Sequence, residues 1–174
     1  RESAYIGENF LIGQNRVILE PRTLAKLLDA LNINNDELVL DIGTGFGYSS
    51  AVISLLAEVV IAVENDSSLA SEAEEILSEI GVDNVVVQVS KLEDGAPEHG
   101  PYDVIILQGG VEEIPGSIIN QLKDGGRVGA IYIEEGLGTA KIGFKLNDKI
   151  NWRYSFNAAA PVLPGFFKQK NFVL

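Results

Sequence analysis

The feature that most constrains the fold is a regular alternation of short apolar runs with segments of helical periodicity. The apolar runs occupy residues 38–40, 59–63, 85–89, 104–107 and 128–133. Each run has the length of a strand and is apolar throughout, which is typical of strands buried on both faces. Strands that alternate with helices at this spacing predict right-handed crossovers and a parallel sheet.

Four segments carry a helical signal. The first follows Pro21, where leucines at positions i, i+3, i+4 and i+7 from Leu24 form an apolar stripe, and a proline suits the first turn of a helix. Gly81 is placed to end another helix as a C-terminal cap. The three further helices are predicted at residues 48–56, 68–80 and 117–122.

The pattern changes after the fifth apolar run. Residues 124–126 predict a turn, strands are predicted at residues 141–144, 153–156 and 172–174, and Pro161 and Pro164 interrupt any helix in this part of the chain. The sequence therefore predicts an α/β fold: a doubly wound, mostly parallel sheet with helices on both faces and an antiparallel C-terminal edge.

Composition excludes several function classes. The 174 residues fit one domain. Thirteen basic and 25 acidic residues give a net charge of −12, which repels nucleic-acid phosphates and anionic membrane surfaces. With no Cys and a single His, neither a metal site nor Cys–His catalysis is expected.

The sequence also indicates a location and an origin. It holds no apolar run of about 18 residues and no signal peptide, so we expect a cytoplasmic protein without a membrane or nucleic-acid partner. Because the chain begins at Arg1 and contains no Met, we expect it to be part of a longer protein that lacks an N-terminal element here.

A glycine-rich turn follows the first strand of the predicted sheet. Residues 41–47 are Asp-Ile-Gly-Thr-Gly-Phe-Gly, and in open α/β sheets a ligand binds beyond the carboxyl end of this strand. A dinucleotide fingerprint needs G-x-G-x-x-G, but its third glycine position falls on Tyr48, and the glycine stands at Gly47 instead. The spacing therefore argues against a nucleotide- or NAD-binding enzyme, which is the weakest of the alternatives.

Two carboxylates flank the turn. Asp41 ends the first strand, where its charge opposes a pyrophosphate and suits an ammonium group. Glu64 ends the second strand, where a carboxylate accepts hydrogen bonds from both hydroxyls of a ribose. S-adenosylmethionine carries an ammonium group, a sulfonium and a ribose, so the spacing predicts a site for this cofactor. The alternative is a tight turn with Asp41 as a helix N-cap and Glu64 as a solvated strand end.

Several motifs resemble the protein-L-isoaspartate O-methyltransferase family. Residues 39–48 are similar to its cofactor loop, residues 101–106 to its fourth-strand motif, and residues 121–127 to its Q-L-K-x-G-G-R turn. Residues 161–166 together with residues 172–174 are similar to the C-termini of a bacterial branch. The resemblance implies a class I methyltransferase fold, S-adenosylmethionine as cofactor, and methyl transfer to a protein or peptide carboxylate or to a small-molecule acceptor. It assigns no catalytic residue. The cofactor contacts that it implies are Asp41, Gly43, Thr44, Gly45, Gly47, Glu64, Asn65 and Leu92.

The chain departs from the family's pattern at two polar positions. Aligned at Pro21, residues 16–19 replace the family's Q-T-I-S, so Leu19 stands where a serine lies near the methyl-accepting carboxylate. Lys91 replaces the aspartate of a G-D-G motif that contacts adenine. The alternative to an enzyme is therefore a catalytically inactive relative that keeps the fold as a binding or regulatory protein.

Arg16 and His99 are two further candidates for chemistry. Arg16 has two interpretations: a bidentate partner for a substrate carboxylate, or a surface arginine paired with Glu20 four residues on. His99 lies in a turn before the fourth strand and is predicted to be a solvated loop residue.

We expect a single methyltransferase domain over residues 1–174. Residues 1–35 are predicted as a truncated N-terminal helical segment on the substrate side and residues 36–135 as the cofactor-binding core. Residues 136–174 are predicted as the C-terminal edge strands. No pattern in the sequence specifies an oligomeric state.

Overall fold

The fold is a seven-stranded sheet with helices on both faces, preceded by a short hairpin. The structure is a computed structural model that describes residues 7–169. The strands are β1 (Phe10–Gly13), β2 (Arg16–Ile18), β3 (Leu38–Ile42), β4 (Val59–Glu64), β5 (Val85–Val89), β6 (Tyr102–Val111), β7 (Leu122–Glu134), β8 (Leu137–Leu146) and β9 (Lys149–Asn157). The helices are α1 (Pro21–Leu31), α2 (Tyr48–Ile53), α3 (Ser67–Glu79) and α4 (Gly116–Ile119), with a 3₁₀ helix at Pro97–His99. Within residues 7–169, no helix combines the length and apolar character that crossing a membrane requires.

The order of the strands creates a crevice beside β3. The sheet runs β5-β4-β3-β6-β7-β8-β9. Its strands from β5 to β7 pair in parallel, whereas β7, β8 and β9 pair antiparallel. The chain moves outward from β3 to β5 and then crosses to β6, so the strand order reverses between β3 and β6. The carboxyl ends of these strands form the crevice where open α/β sheets bind ligands. The predicted fold class is confirmed.

The central strands are buried on both faces, as their apolar runs predict. Leu40 of β3 belongs to one core cluster, and its neighbour Val39 to the other. Helix α1 packs on the second cluster through Leu27 and three further buried leucines, and α4 packs on the first through Ile118. Burial of each such side chain contributes about 1.5–3 kcal/mol.

Three differences between the predicted boundaries and the structure have a physical explanation. Helix α2 ends at Ile53 rather than at residue 56, and the two leucines that follow gain little burial: Leu55 is 83% and Leu56 38% exposed. Helix α4 ends at Ile119, because Leu122 already pairs with Tyr102 in the sheet. The turn predicted at residues 124–126 is therefore part of β7, and an irregular register absorbs it. The strand predicted at residues 172–174 lies outside the described residues.

The hairpin of β1 and β2 has no counterpart in the sequence prediction, which expected helix over residues 1–35. β1 and β2 pair antiparallel, with Phe10 opposite Ile18 and Leu11 opposite Val17. Asn15 lies in the turn between them at a φ of 57°, a left-handed conformation that asparagine tolerates better than most residues. The hairpin is followed by α1, so the described part of this segment is mixed rather than helical.

Candidate functional site

The glycine-rich turn leaves the carboxyl end of β3 and leads into α2. Its three glycines have positive φ, at 88° for Gly43, 60° for Gly45 and 84° for Gly47. Other residues adopt this conformation only at a cost of about 1–2 kcal/mol. The Gly43 N–H donates to the carbonyl of Val63 at 2.8 Å, which ties the turn to β4. The turn therefore presents bare backbone at the point where the strand order reverses.

Asp41 is fully buried beneath the turn and accepts three hydrogen bonds. Ser49 and Ser50 of α2 donate from Oγ to Asp41 Oδ2 at 2.6 and 2.5 Å. Gln108 of β6 donates from Nε2 to Asp41 Oδ1 at 2.7 Å. Burial raises the pKa of Asp41, and these donors oppose part of the rise. The carboxyl group thus links β3 to α2 and to β6.

Glu64, at the end of β4, forms a bidentate ion pair with Arg16 of β2. Arg16 Nη1 donates to Glu64 Oε1 at 2.8 Å, and Nη2 donates to Oε2 at 2.6 Å. The backbone N–H groups of Gly45 and Asn65 each donate to the same carboxylate at 2.8 Å. Burial by itself raises the pKa of Glu64, but the hydrogen bonds and charge of Arg16 and the backbone donors outweigh it and lower this pKa. The pair is buried, with side chains 6% and 0% exposed.

The hairpin covers the glycine turn. A Cβ atom placed on Gly45 would lie 2.6 Å from Ile12 Cδ1, and one placed on Gly43 would lie 3.5 Å from Arg16 Nη2. Beside Gly43, a cavity of about 10 Å³ is lined in part by Leu19, which is close to the minimum that holds one water molecule. A ligand at the turn therefore requires that side chains of the hairpin move.

The C-terminal segment closes the opposite side of the turn. After β9 the chain returns to the middle of the sheet, where Val162 forms a parallel bridge with Gly110. The Leu163 N–H donates to the Gly110 carbonyl at 2.9 Å, and Leu163 Cδ2 would lie 3.7 Å from a Cβ on Gly43. The site is thus built from both ends of the described chain around the turn.

Most of the residues predicted to contact the cofactor come together at this turn. Asp41, the turn itself and Glu64 lie at the adjacent carboxyl ends of β3 and β4, and Asn65 Oδ1 accepts a hydrogen bond from Arg16 Nη1 at 2.6 Å. Leu92 differs, because its side chain is 1% exposed and belongs to the core, so it can offer only its backbone to a ligand. Cofactor binding by these residues stays a prediction.

The structure contradicts one interpretation of Arg16 and agrees with the expectation for His99. The predicted surface pair of Arg16 with Glu20 is wrong, because Glu20 caps α1 and its Oε2 accepts the Thr23 N–H at 2.9 Å. Burial by itself raises the pKa of Glu20, but its contacts with Thr23 and Arg22 lower it. His99 is exposed in the 3₁₀ helix that precedes β6, at the end of the sheet opposite the turn, as expected for a solvated loop residue.

Sequence reasoning missed the donors that surround Asp41. Gln108 interrupts an apolar run at the end of the strand next to β3, which is a detectable signal for a polar contact at the strand ends. Ser49 and Ser50 directly follow the turn, in the first turn of α2. The target of Arg16 had no such signal, because Glu64 is 48 positions away in the sequence.

Sequence comparison gives a family and curated relatives. Residues 1–151 match the family model described as Protein-L-isoaspartate(D-aspartate) O-methyltransferase. A protein-L-isoaspartate O-methyltransferase of Syntrophus aciditrophicus (strain SB) is 34% identical over 151 residues, which cover 84% of this chain and 69% of the relative. In two other curated relatives of this name, from Opitutus terrae and Methanocella arvoryzae, the matched share of the relative is 55% and 70%.

Comparison with solved structures points to the same family. A solved protein-L-isoaspartate O-methyltransferase has a TM-score of 0.81 at 26% identity, and the match covers 90% of this chain. The chain spans about half of that protein, 51% of its length. A Plasmodium falciparum structure assigned to the same enzyme, in complex with S-adenosyl-L-homocysteine, has a TM-score of 0.76 at 20% identity and covers 91% of this chain and 81% of its own. At that identity it supports the fold.

Proposed function

Because the chain belongs to the protein-L-isoaspartate(D-aspartate) O-methyltransferase family, we propose that it is an S-adenosylmethionine-dependent methyltransferase with a carboxylate acceptor. The observation that carries the proposal is the family match over residues 1–151, and the positive-φ glycine turn beside Glu64 supports it. The proposed acceptor is an isoaspartyl carboxylate of a protein or peptide, with protein repair as the corresponding role. A small-molecule carboxylate is the alternative acceptor.

The residues at the turn suit this cofactor. Without side chains, Gly43 and Gly45 allow close approach of a ligand to the backbone. The two oxygens of Glu64 match the two hydroxyls of a ribose once Arg16 withdraws from them. We assign further contacts to Thr44, Gly47, Asn65 and the backbone of Leu92. When bound, S-adenosylmethionine supplies a methyl group activated by its sulfonium.

Asp41 takes a different role from the ammonium contact first expected. Its carboxyl group is fully buried, and each oxygen already accepts a hydrogen bond from Gln108 or from the α2 serines. Because the side chain is fully buried, an ammonium group could reach it only if the surrounding residues moved, and a buried donor left without its partner costs about 1–3 kcal/mol. We therefore assign Asp41 to positioning α2 and β6 around the turn.

Methyl transfer to a carboxylate depends on alignment rather than on acid–base chemistry. The acceptor is already an anion and loses no proton, so the protein's task is to hold the reacting atoms in line. Leu19, which stands at the family's serine position, is 2% exposed. Its side chain is apolar and offers no hydrogen bond. The charged side chain nearest to Gly43, among the described residues, is the cation Arg16.

The test is methyl transfer by the full-length protein. It is incubated with methyl-tritiated S-adenosylmethionine and an isoaspartyl peptide, with the normal aspartyl peptide as control, and base-labile methyl ester is counted. We expect transfer to the isoaspartyl peptide, and at least a tenfold loss in Glu64→Gln. The matched control is Arg22→Gln, whose side chain is 80% exposed. If no carboxylate is methylated and calorimetry shows no binding of S-adenosylhomocysteine, the proposed methyltransferase function is contradicted.

The same assay separates the alternatives. An inactive relative predicts binding of the cofactor product without transfer, and a small-molecule methyltransferase predicts transfer to free carboxylic acids without transfer to the peptide. The relatives reported above are named as methyltransferases, which favours the enzyme.

The cytoplasm is the proposed location. The chain contains no Cys, which suits a reducing compartment. Cell fractionation of the full-length protein tests this, and its recovery outside the cytoplasm would contradict it.

A further inference from the structure

Arg16 holds the carboxylate that the cofactor requires. Its guanidinium engages both oxygens of Glu64, at 2.8 and 2.6 Å, and Asn65 Oδ1 at 2.6 Å. If Glu64 is the ribose ligand, as the proposed function states, the cofactor and Arg16 compete for the same two oxygens. The competition follows from the fold, because the hairpin places the Arg16 guanidinium beside the glycine turn and Glu64.

The element that carries Arg16 is lightly anchored on one side. Phe10 and Leu11 of β1 are 52% and 69% exposed, whereas Val17 of β2 is 5% exposed. Its contacts with the turn come from Ile12 and Arg16. Small elements with few buried apolar contacts open at a lower free energy than the core of a protein does. Because Val17 of β2 is buried, the Arg16 side chain and β1, rather than the backbone of β2, are the parts of the site that can move at the lowest cost.

Displacement from Glu64 leaves the guanidinium without its anion. Among the described residues, Arg16 Nε is already a buried donor without a hydrogen-bond partner. The other carboxyl group beneath the turn, Asp41, already accepts three hydrogen bonds. A buried charge that loses its partner strongly destabilises a protein. A displaced Arg16 therefore needs a new anion, and the reaction brings one: the acceptor's carboxylate.

We propose that Arg16 exchanges partners, pairing with Glu64 in the free protein and with the acceptor's carboxylate when the cofactor holds Glu64. This inference rests on the proposed function. Arg16 is then a positioning residue that binds the acceptor through a bidentate pair. The cofactor and the acceptor each release the group that the other needs, so each raises the affinity for the other by the same factor.

The exchange also sets the order of release. In the transfer, the acceptor's carboxylate oxygen forms a bond to the methyl carbon while the carbon–sulfur bond breaks and its electron pair stays on sulfur. The sulfonium becomes a neutral thioether and the carboxylate a neutral ester, with no proton exchanged. The ester no longer neutralises Arg16, which returns to Glu64 and displaces the cofactor product from the ribose ligand.

Calorimetric titration of the full-length protein with S-adenosylhomocysteine tests the exchange without turnover. It is done alone, with a saturating isoaspartyl peptide, and with the same peptide carrying a neutral amide in place of the isoaspartyl carboxylate. We expect the carboxylate peptide to raise the affinity at least fivefold, within the range of typical couplings, and the amide peptide to leave it unchanged. Equal effects of the two peptides overturn the inference.

Variants add a second readout. Arg16→Gln is expected to bind S-adenosylhomocysteine about tenfold more tightly than the wild type when no peptide is present, and to lose the coupling to the carboxylate peptide. Arg22→Gln, an exposed arginine on α1, is expected to behave as the wild type. Affinity in Arg16→Gln that is no higher than in the wild type overturns the exchange. If Arg16→Gln does not fold, as judged by thermal melting, the two peptides on the wild type decide. Failure of the proposed function differs from both results, since the wild type then either binds no S-adenosylhomocysteine or binds it without transferring a methyl group to any carboxylate.

Discussion

The side-chain amide of Gln108 donates a 2.7 Å hydrogen bond to Asp41 across the parallel pair of β3 and β6. Both residues are buried, and they are 67 positions apart in the sequence. The bond spans the point where the strand order reverses. It therefore adds a side-chain link between the two strands that flank the glycine turn.

Gln108→Leu is expected to lower the free energy of unfolding by about 1–3 kcal/mol, because it leaves Asp41 Oδ1 buried without its donor. Urea unfolding followed by circular dichroism measures this. Gln14→Leu, at an exposed position of the hairpin turn, is the control and should change the free energy by less than about 0.5 kcal/mol. Equal effects of the two substitutions would show that the bond across the strands contributes nothing.

The titration of Asp41 should appear in the pH dependence of stability. Burial raises its pKa above the ordinary value of 3.8, so the folded state holds this proton more tightly than the unfolded chain. The resulting stabilisation is complete below pH 3.8 and is lost as the pH rises through the raised pKa. Asp41→Asn cannot titrate. We subtract the free energy of unfolding of Asp41→Asn from that of the wild type. This difference is expected to fall as the pH rises, and a difference that grows would contradict the raised pKa of Asp41.

Gly45→Ala tests whether Ile12 rests on the turn. Alanine at a φ of 60° is strained by about 1–2 kcal/mol, and its Cβ would also meet Ile12 Cδ1 at 2.6 Å. Gly81→Ala is the matched control, because Gly81 has a φ of 75° with nothing within 4 Å of a Cβ. We expect a larger loss of thermal stability at Gly45 than at Gly81. In an Ile12→Ala background, Gly45→Ala and Gly81→Ala should lower the melting temperature equally. A larger drop for Gly45→Ala in that background would show that its Cβ clashes with another residue.

Arg127 joins the end of α1 to β7, and its loss should destabilise the fold. It donates to both carboxylate oxygens of Glu37 at 2.7 Å and to backbone carbonyls at the C-terminal end of α1. Both side chains are at most 14% exposed. Arg127→Ala is expected to cost about 3 kcal/mol, as for a broken buried pair. Lys123→Ala, which breaks the more exposed pair with Asp103, should cost under about 1 kcal/mol.

The same pair adds a dependence on acid. The hydrogen bonds from Arg127 lower the pKa of Glu37 below its ordinary 4.5. The stabilisation from Glu37 is therefore present above pH 4.5 and is lost as the pH falls through the lowered pKa. Urea unfolding at a series of pH values should show a steeper acid loss in the wild type than in Arg127→Ala. If the free energy of unfolding falls equally steeply with pH in both proteins, Arg127 does not bind Glu37 in its ionised form.

The parallel core and the glycine turn could be predicted because their signals are local. The burial of each central strand is indicated by its own continuous apolar run, as in residues 104–107. The turn and its carboxylates sit at fixed distances along one strand–turn–helix unit and its successor. Sequence patterns of this kind report what a segment buries, whichever neighbours it later meets.

The hairpin and its ion pair could not be predicted because their causes are distant. The sequence of β1, Phe-Leu-Ile-Gly, shows no alternation of apolar and polar residues, and Phe10 and Leu11 are exposed. The hairpin is held by what Ile12 and Arg16 contact on the turn, and the partner of Arg16 is fixed only when β4 has taken its place beside β3. Such contacts follow from the order of the strands and not from spacing along the chain.

Leu163 reaches Gly43 only after the chain has returned from the far edge of the sheet. A ribosome therefore synthesises the turn, both carboxylates and Arg16 long before the segment that forms the last wall around them. A nascent chain carries every charged group of the site while that wall is still missing. The enclosure of the turn is thus completed only after residue 163 has been synthesised. A chain that stops before Leu163 keeps the turn but leaves it open to water on that side.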